Sequence, residues 1–233
     1  MRLDKFICEA TGLTRNLAKR ALKQGDIAVD GILVKDAGFK LHPEMQVTLE
    51  GELLSLVGMR YIMLHKPLET LCSNVDEVYP SVLNLLDEPH IERLHFAGRL
   101  DADTTGLLLI TDDGQWSHKV TSPKRECGKR YRVWLADPLC DEAEQLFTEG
   151  VALNGEKELT RPATLERVSA TEVVLTITEG KYHQVKRMFA ALGNKVTDLH
   201  REAIGEIELD EALAPGEWRY LTDAEIASVD QSA

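Results

Sequence analysis

The chain has 233 residues, of which 43% are hydrophobic, and its formal net charge at pH 7 is −12. This composition is typical of a globular protein with one large core or two domains of unequal size. No apolar stretch reaches the roughly 18 residues of a membrane span, so we predict a cytoplasmic protein with no membrane association. The four cysteines form no Cys-x-x-Cys pair and the histidines lack ligand spacing, which predicts neither a disulfide framework nor a metal site.

The first segment predicts two short helices followed by a β-hairpin. Apolar residues recur at helical spacing over residues 3–10, as expected for an amphipathic helix. Thr14 is the residue type of an N-cap for a second helix, and Gly25 ends that helix. Asp30-Gly31 then supplies two turn positions that tolerate positive φ, between short alternating strands.

The second helix has an apolar face and a basic face. The apolar face consists of Leu17, Ala18, Ala21 and Leu22, and the opposite face of Arg15, Lys19, Arg20 and Lys23. Residues 1–58 carry eight Lys or Arg and eight Asp or Glu, so the acidic excess lies entirely in residues 59–233. The basic face is therefore a candidate contact for an anionic ligand, with a solvated face as the alternative.

This segment resembles the S4 RNA-binding domain. The resemblance rests on Arg2-Leu3-Asp4-Lys5, on Thr14-Arg15 and on the run Ile27-Ala28-Val29-Asp30-Gly31. It implies a small S4-like domain over residues 1–55, followed by a linker at 56–60; an ordinary helical cap with a charged face is the alternative. The candidate RNA-binding residues are Arg2, Lys5, Arg15, Lys19, Arg20 and Lys23.

Residues 61–233 have a different sequence pattern, in which short apolar runs, predicted to be strands, are separated by Gly, Pro and Asp turns. Strands are predicted at 61–64, 107–110, 129–135, 172–178 and 195–199, and helices at 141–150 and 183–192. A mixed sheet with flanking helices, the α+β class, follows from this order of elements.

Two basic islands interrupt this acidic domain. Residues 115–134 hold six Lys or Arg against the single acid Glu126, and residues 181–201 hold five against Asp198 alone. Although the overall charge argues against a nucleic-acid partner, such clusters indicate an anionic ligand bound at a defined site. Solvated faces are the alternative interpretation.

The most informative stretch is the loop Gly98-Arg99-Leu100-Asp101-Ala102-Asp103-Thr104-Thr105-Gly106, which runs into the apolar residues 107–110. A polar loop beside a buried strand is a good place to fix a carboxylate, because the strand holds the geometry of the loop. The same spacing approaches a calcium-loop template, but Thr105 replaces an expected oxygen ligand and a strand follows at once. We therefore predict a reactive carboxylate and no metal.

This loop strongly resembles the pseudouridine synthase signature, in the branch typified by the bacterial small-subunit ribosomal RNA enzyme. Two further family blocks are intact, Glu-Gly-Lys-Tyr-His-Gln-Val-Lys-Arg-Met-Phe at 179–189 and Lys-Arg-Tyr at 129–131. The resemblance spans nearly the whole chain and implies a catalytic domain over 61–233 with a mixed, largely antiparallel sheet. One departure is His-Lys-Pro-Leu-Glu at 65–69, where relatives commonly have Asn first and Gly last.

The resemblance implies that Asp101 is the essential carboxylate, that Lys186 pairs with it, and that Tyr131 stacks on the target base. Pseudouridine formation breaks the N1 glycosidic bond, turns the uracil and rejoins it through C5, so no cofactor is expected. The reaction needs an ionised carboxylate, a neighbouring cation and a platform for the loose base. The candidate RNA-binding residues here are Arg99, Lys129, Arg130, Lys181, His183, Gln184 and Arg187.

The implied substrate is uridine 516 of 16S ribosomal RNA, in an assembling small subunit, and we expect the enzyme to be a monomer. The alternatives are a synthase acting on large-subunit (23S) ribosomal RNA and a non-catalytic S4-type RNA-binding or ribosome-assembly protein. The Asp-Thr-Thr-Gly and Tyr-His-Gln-Val-Lys forms favour the small-subunit enzyme. Three routes remain open for Asp101: attack on ribose C1′, addition at C6 of the base, and removal of a sugar proton.

Overall fold

The computed structural model describes residues 1–56 and 58–231, and the chain divides into two compact units. The first comprises residues 1–59 with 88–91, and the second 60–87 with 92–233. The boundaries at 55 and 61 stay predictions, and the predicted linker includes Val57, which lies outside the described residues. No helix in the described part of the chain is long and apolar enough to cross a membrane.

The first unit consists of helices followed by an antiparallel sheet. The helices are α1 (Leu3–Thr11) and α2 (Arg15–Gln24), and the strands are β1 (Ile27–Val29), β2 (Ile32–Leu33), β3 (Val47–Leu49) and β4 (Glu52–Leu54). The sheet order is β2-β1-β3-β4. The predicted helices and the first hairpin are confirmed, whereas the β3–β4 hairpin was not predicted from the sequence.

Local signals begin and end these elements at the predicted residues. The Thr14 side chain accepts a hydrogen bond from the backbone N–H of Leu17 at 3.3 Å, which caps α2. Gly25 follows α2 with a φ of 83°. Asp30 and Gly31 have φ values of 50° and 82°, the pair of positive values that a tight hairpin turn requires.

The core of the first unit lies between the helices and the sheet. It consists of Leu3, Ile7, Ala18, Ala21, Leu22, Ile27, Val29 and Val47. Leu17, which we predicted on the apolar face of α2, is 44% exposed. That prediction was wrong because successive helical residues turn by about 100°, which puts Leu17 at the edge of the buried stripe. The cations of α2 are all exposed.

The second unit is built on a larger sheet. Its strands are β5 (Tyr61–Lys66), β6 (His95–Phe96), β7 (Thr104–Thr111), β8 (Lys129–Leu135), β9 (Thr164–Arg167), β10 (Glu172–Ile177), β11 (Val196–Ile204), β12 (Ile207–Glu208) and β13 (Trp218–Tyr220). Its helices are α3 (Gly114–Thr121), α4 (Ala143–Glu149), α5 (Gln184–Ala191) and α6 (Asp223–Gln231). Short 3₁₀ turns occupy Val82–Leu85 and Pro123–Arg125, and a third, Ile91–Arg93, begins at the last residue of the first unit.

The strands pair in the order β13-β5-β7-β11-β8-β10-β9, with β6 on β7 and β12 on β11. Among the described strands, β7 and β11 form the one parallel pair and the other pairs are antiparallel. The predicted α+β class, with a mixed, largely antiparallel sheet flanked by helices, is confirmed. The predicted strand at 195–199 extends to Ile204 because β11 pairs with both β7 and β8.

The parallel pair β7–β11 depends on a glycine. Gly106 has a φ of 110°, and a Cβ atom there would lie 2.2 Å from the carbonyl oxygen of Arg201. Glycine lacks that atom and tolerates positive φ, so the two strands can meet at this point. Residues 98–102 of the loop before β7 share a cavity with Lys129 and Tyr131 of β8 and with Leu199 and Arg201 of β11.

Candidate active site

A cavity of about 730 Å³ lies beside this loop in the second unit. Its walls include loop residues 98–102, Lys129 and Tyr131 of β8, residues 180–186, and Leu199 and Arg201 of β11. The volume is in the range of sites that bind small ligands. Segments far apart in the sequence therefore converge on one concave site.

The carboxylate of Asp101 is held from two sides. Lys186 Nζ lies 3.3 Å from Oδ2, and His183 Nε2 lies 3.3 Å from Oδ1. The side chain of Asp101 is 39% exposed, so a substrate in the cavity can reach its oxygens. The predicted pairing of Asp101 with Lys186 matches this geometry, and His183 adds a second contact.

Asp103 shares the same ammonium group. Lys186 Nζ lies 2.7 Å from Asp103 Oδ1, closer than it lies to Asp101. This hydrogen bond lowers the pKa of Asp103. Burial lowers the pKa of Lys186, but its hydrogen bond to Asp103 and the charges of both aspartates outweigh burial, so the pKa is raised. Lys186 therefore remains a cation, and Asp103 is a residue for which the sequence suggested no role at the site.

A buried lysine holds the loop from behind. Lys66, at the end of β5, is 0% exposed, and its Nζ donates to the carbonyls of Pro67 (3.0 Å), Thr104 (3.0 Å) and Ala102 (3.4 Å). These acceptors match the three donors of an ammonium group. Burial lowers the pKa of Lys66. The signal in the sequence was a lysine two residues after the predicted apolar strand at 61–64.

The turn at 65–69 puts a non-glycine residue in a left-handed conformation. Glu69 has a φ of 59°, a left-handed conformation that favours glycine, the residue that the family resemblance led us to expect there. Its backbone N–H donates to the carbonyl of Ala102 at 2.9 Å. Glu69 therefore occupies a strained position, and its backbone contacts the Asp101 loop.

The residues of β8 alternate between the cavity and the opposite face of the sheet. Tyr131, 8% exposed, and Lys129 both line the cavity. Burial, and then the charge of Arg201, lower the pKa of Lys129. Arg130 points to the other face, where it pairs with Glu202 at 3.1 Å and with Glu208 at 3.4 Å.

Arg201 is a buried cation in the cavity wall. It is 1% exposed, and its Nε donates to the carbonyl of Leu107 at 2.9 Å. Its Nη2 has no hydrogen-bond partner among the described residues. From the sequence, Arg201 was counted in a basic island and assigned no role. Its position between Leu199 and Ala203, at the spacing of one strand face, could have indicated that it is buried.

The segment before α5 is braced by its own side chains. Gln184 Nε2 donates to Glu179 Oε1 at 2.9 Å, and Gln184 Oε1 accepts from the backbone N–H of Lys181 at 3.0 Å. Gln184 is 4% exposed, so it shapes the loop that carries His183 as well as lining the cavity.

The predicted residues of the second unit do not all meet at the cavity. Those that line it are Arg99, Asp101, Lys129, Tyr131, Lys181, His183, Gln184 and Lys186. Of the RNA-binding residues predicted in the second unit, Arg130 and Arg187 lie outside this lining. Arg187 Nη1 donates to the carbonyl of Tyr182 at 2.9 Å. Among residues 1–56 and 58–231, no group of three or more His, Cys, Asp or Glu side chains could hold a metal ion.

The remaining predicted RNA-binding residues belong to the first unit. Arg2 forms a bidentate pair with Asp4, in which Nε donates to Oδ1 and Nη2 to Oδ2, each at 3.0 Å. Lys5 Nζ lies 3.7 Å from Glu9 Oε1. The cations of α2, which are Arg15, Lys19, Arg20 and Lys23, are exposed on one face of the helix. They are accessible to a ligand at the surface of this unit.

Residues 60–191 match the RNA pseudouridylate synthase family, and residues 1–47 match the S4 domain. The first match covers more than half of the chain, which belongs to the RNA pseudouridylate synthase family. It is therefore an isomerase that forms pseudouridine in RNA. This decides against the non-catalytic RNA-binding alternative and confirms the resemblances to both families.

Full-length relatives carry a more particular description. Ribosomal small subunit pseudouridine synthase A of Vibrio cholerae serotype O1 is 62% identical over 230 residues, covering 98% of this chain and 99% of the relative. The protein of the same description from Escherichia coli strain K12 is 55% identical, covering 98% and 100%. A solved crystal structure of a pseudouridylate synthase, 50% identical, has a TM-score of 0.72 and covers 98% of this chain and 99% of its own.

Proposed function

We propose that this synthase isomerises uridine 516 of 16S ribosomal RNA, in an assembling small subunit, with Asp101 as the essential carboxylate. The observation that carries the proposal is the Asp101 carboxylate, which Lys186 and His183 contact at 3.3 Å each in an open cavity. Relatives described as ribosomal small subunit pseudouridine synthase A, which align over nearly the full chain, support the choice of RNA.

The proposed division of roles follows from the positions of the side chains. The N1–C1′ bond breaks, the uracil turns and a C5–C1′ bond forms. C5 then loses its proton and N1 takes up a proton, so the product is an isomer of the substrate. Asp101 acts at the reacting centre, and the ammonium group of Lys186 is the cation beside its carboxylate. Tyr131 offers an aromatic wall on which the detached base can stack. The base must leave its RNA stack to reach the cavity.

Selection of one uridine requires contacts outside the cavity, because a site that fits one uracil fits all of them. The cations at the cavity and the basic face of α2 are proposed to bind the backbone of folded RNA. Folded ribosomal RNA, and not a short oligonucleotide, is therefore the proposed substrate. The monomeric state and the cytoplasmic location stay predictions.

The function is tested by mapping pseudouridine in ribosomal RNA by carbodiimide modification and primer extension. Cells lacking the gene should lose one 16S position, and the wild-type gene should restore it. Asp101→Asn should not restore it, because the substitution keeps the side-chain shape and removes the carboxylate. The matched variant Asp103→Asn should retain partial activity. It alters one contact of Lys186 and leaves the Asp101–Lys186 contact in place.

Two results would count against the proposal. Full restoration by Asp101→Asn would remove the role of that residue. Loss of a 23S position with the 16S RNA unchanged would favour the large-subunit alternative.

A further inference from the structure

An exposed aromatic side chain stands at the cavity beside Asp101. Tyr182 is 74% exposed, yet it belongs to the cavity lining. Its ring lies on the imidazole of His183, with centroids 3.8 Å apart and planes at 18°. His183 in turn lies 3.3 Å from the carboxylate of Asp101. Two stacked rings therefore extend from the carboxylate toward solvent.

Hydrogen bonds hold the backbone at Tyr182. A single exposed tyrosine is ordinary on a protein surface, but the carbonyl of Tyr182 accepts a hydrogen bond from Arg187 at 2.9 Å. The neighbouring backbone N–H of Lys181 is held by Gln184 at 3.0 Å. His183 covers one face of the tyrosine ring, and an exposure of 74% leaves the other face to solvent. The ring is thus covered on one side by His183 and open to solvent on the other.

The chemistry of base flipping creates a ligand for such a face. A uridine that enters the cavity has left its stack, so the adjacent nucleotide loses a stacking partner. Every nucleobase has a π face, and stacking on an aromatic side chain contributes about 1–3 kcal/mol per base. Lys181 and Lys186 also line the cavity, and cations there attract the phosphate between the two nucleotides.

We propose that Tyr182 and His183 form a stacking platform for the nucleobase adjacent to the target uridine, held single-stranded at the mouth of the cavity. The inference rests on the proposed function, because it requires an RNA whose uridine has entered beside Asp101. The platform binds any nucleobase through its π face, so it adds affinity and positioning and leaves the choice of sequence to other contacts.

The test uses the full-length protein and a 16S ribosomal RNA transcript, free and assembled with small-subunit proteins. The transcript carries 2-aminopurine on one side of the target uridine or on the other. The variants are Tyr182→Ala, which removes the ring, and Tyr182→Phe, which keeps it. Tyr220→Ala is the matched control, because Tyr220 is also exposed, at 52%, and lies on β13 outside the cavity lining.

Tyr182→Ala should weaken RNA affinity by roughly 5- to 150-fold, the equivalent of the stacking energy of one base. The kcat at saturating RNA should change much less, since Asp101 and Lys186 are untouched. Tyr182→Phe and Tyr220→Ala should bind like the wild type. The 2-aminopurine fluorescence should be quenched when wild type or Tyr182→Phe binds, and not when Tyr182→Ala binds.

Three results would overturn the platform in an enzyme that modifies the transcript. In the first, Tyr182→Ala binds RNA and turns it over like the wild type. In the second, Tyr182→Phe loses as much RNA affinity as Tyr182→Ala. In the third, Tyr182→Ala keeps its RNA affinity but has a reduced kcat. The last would show that Tyr182 supports His183 instead of binding RNA. If the wild type leaves both free and assembled transcript unmodified, the proposed function fails first, and the platform fails with it.

Discussion

Gly106 is the residue at which the site depends most directly on the absence of a side chain. A Cβ atom would lie 2.2 Å from the carbonyl oxygen and 2.7 Å from the nitrogen of Arg201, and φ is 110°. We predict that Gly106→Ala lowers the free energy of unfolding by more than about 2 kcal/mol, because β7 and β11 must separate. Guanidinium unfolding followed by circular dichroism measures this decrease.

Gly114→Ala is the matched control at the residue scale. Nothing lies within 4 Å of a Cβ atom at Gly114, which is the first residue of α3. Alanine is favoured over glycine in a helix by up to about 1 kcal/mol, so this variant should be as stable as the wild type or slightly more so. Equal destabilisation of the two variants would contradict the close approach of the strands.

At the scale of elements, Asp113 joins helix α3 to strand β5. One carboxylate oxygen accepts from the backbone N–H groups of Gln115 and Trp116 at 3.1 Å and 3.0 Å. The other oxygen accepts from the Tyr61 hydroxyl at 2.6 Å. We predict that Asp113→Ala lowers the free energy of unfolding by about 1–3 kcal/mol. Tyr61→Phe keeps the cap and should cost less, which denaturant titration distinguishes.

The decrease in the free energy of unfolding caused by Asp113→Ala should also depend on pH. The hydrogen bond from Tyr61 lowers the pKa of Asp113 and raises the pKa of Tyr61 to about 12. Because the folded-state pKa of Asp113 is below its ordinary value, the unfolded chain binds the proton first as pH falls. The contribution of Asp113 is therefore present at neutral pH and is lost as pH falls through its folded-state pKa. A stability difference between wild type and Asp113→Ala that does not shrink on acidification would contradict this.

At the scale of the whole molecule, the net charge is negative although one helix exposes a positively charged face. The net charge is −12, yet α2 exposes a basic face made of Arg15, Lys19, Arg20 and Lys23. We predict that replacing these four cations by Gln weakens binding to 16S ribosomal RNA. The slope of log affinity against log salt should fall by about 0.7–0.9 for each phosphate that the variant no longer neutralises. Filter binding at several KCl concentrations measures both quantities.

The control for this prediction stays within the same unit. Lys35 and Lys40 are exposed cations outside α2, and their replacement by Gln should change the slope less than the α2 variant does. Both variants should retain the helical circular dichroism signal. An unchanged slope in the α2 variant would show that this face of the helix is only solvated.

Sequence patterns alone determined the elements whose signals are local. The Thr14 cap and the Asp30-Gly31 turn depend on residues close in the chain, and both formed as predicted. The alternation over 129–135 likewise predicted the bounds of β8. The family motif indicated Asp101 and Lys186 together, because each lies in a recognisable block, although 85 positions separate them.

Only the tertiary structure decided which side chains share the cavity. The register of β8 against β11 puts Tyr131 opposite Arg201 and turns Arg130 to the other face. Lys66 became a buried support of the Asp101 loop because β5 pairs with β7. These placements depend on contacts between distant segments, and no local pattern encodes the register that creates them. Caps and turns are decided by neighbours in the chain, whereas the burial of a cation is decided by what packs around it.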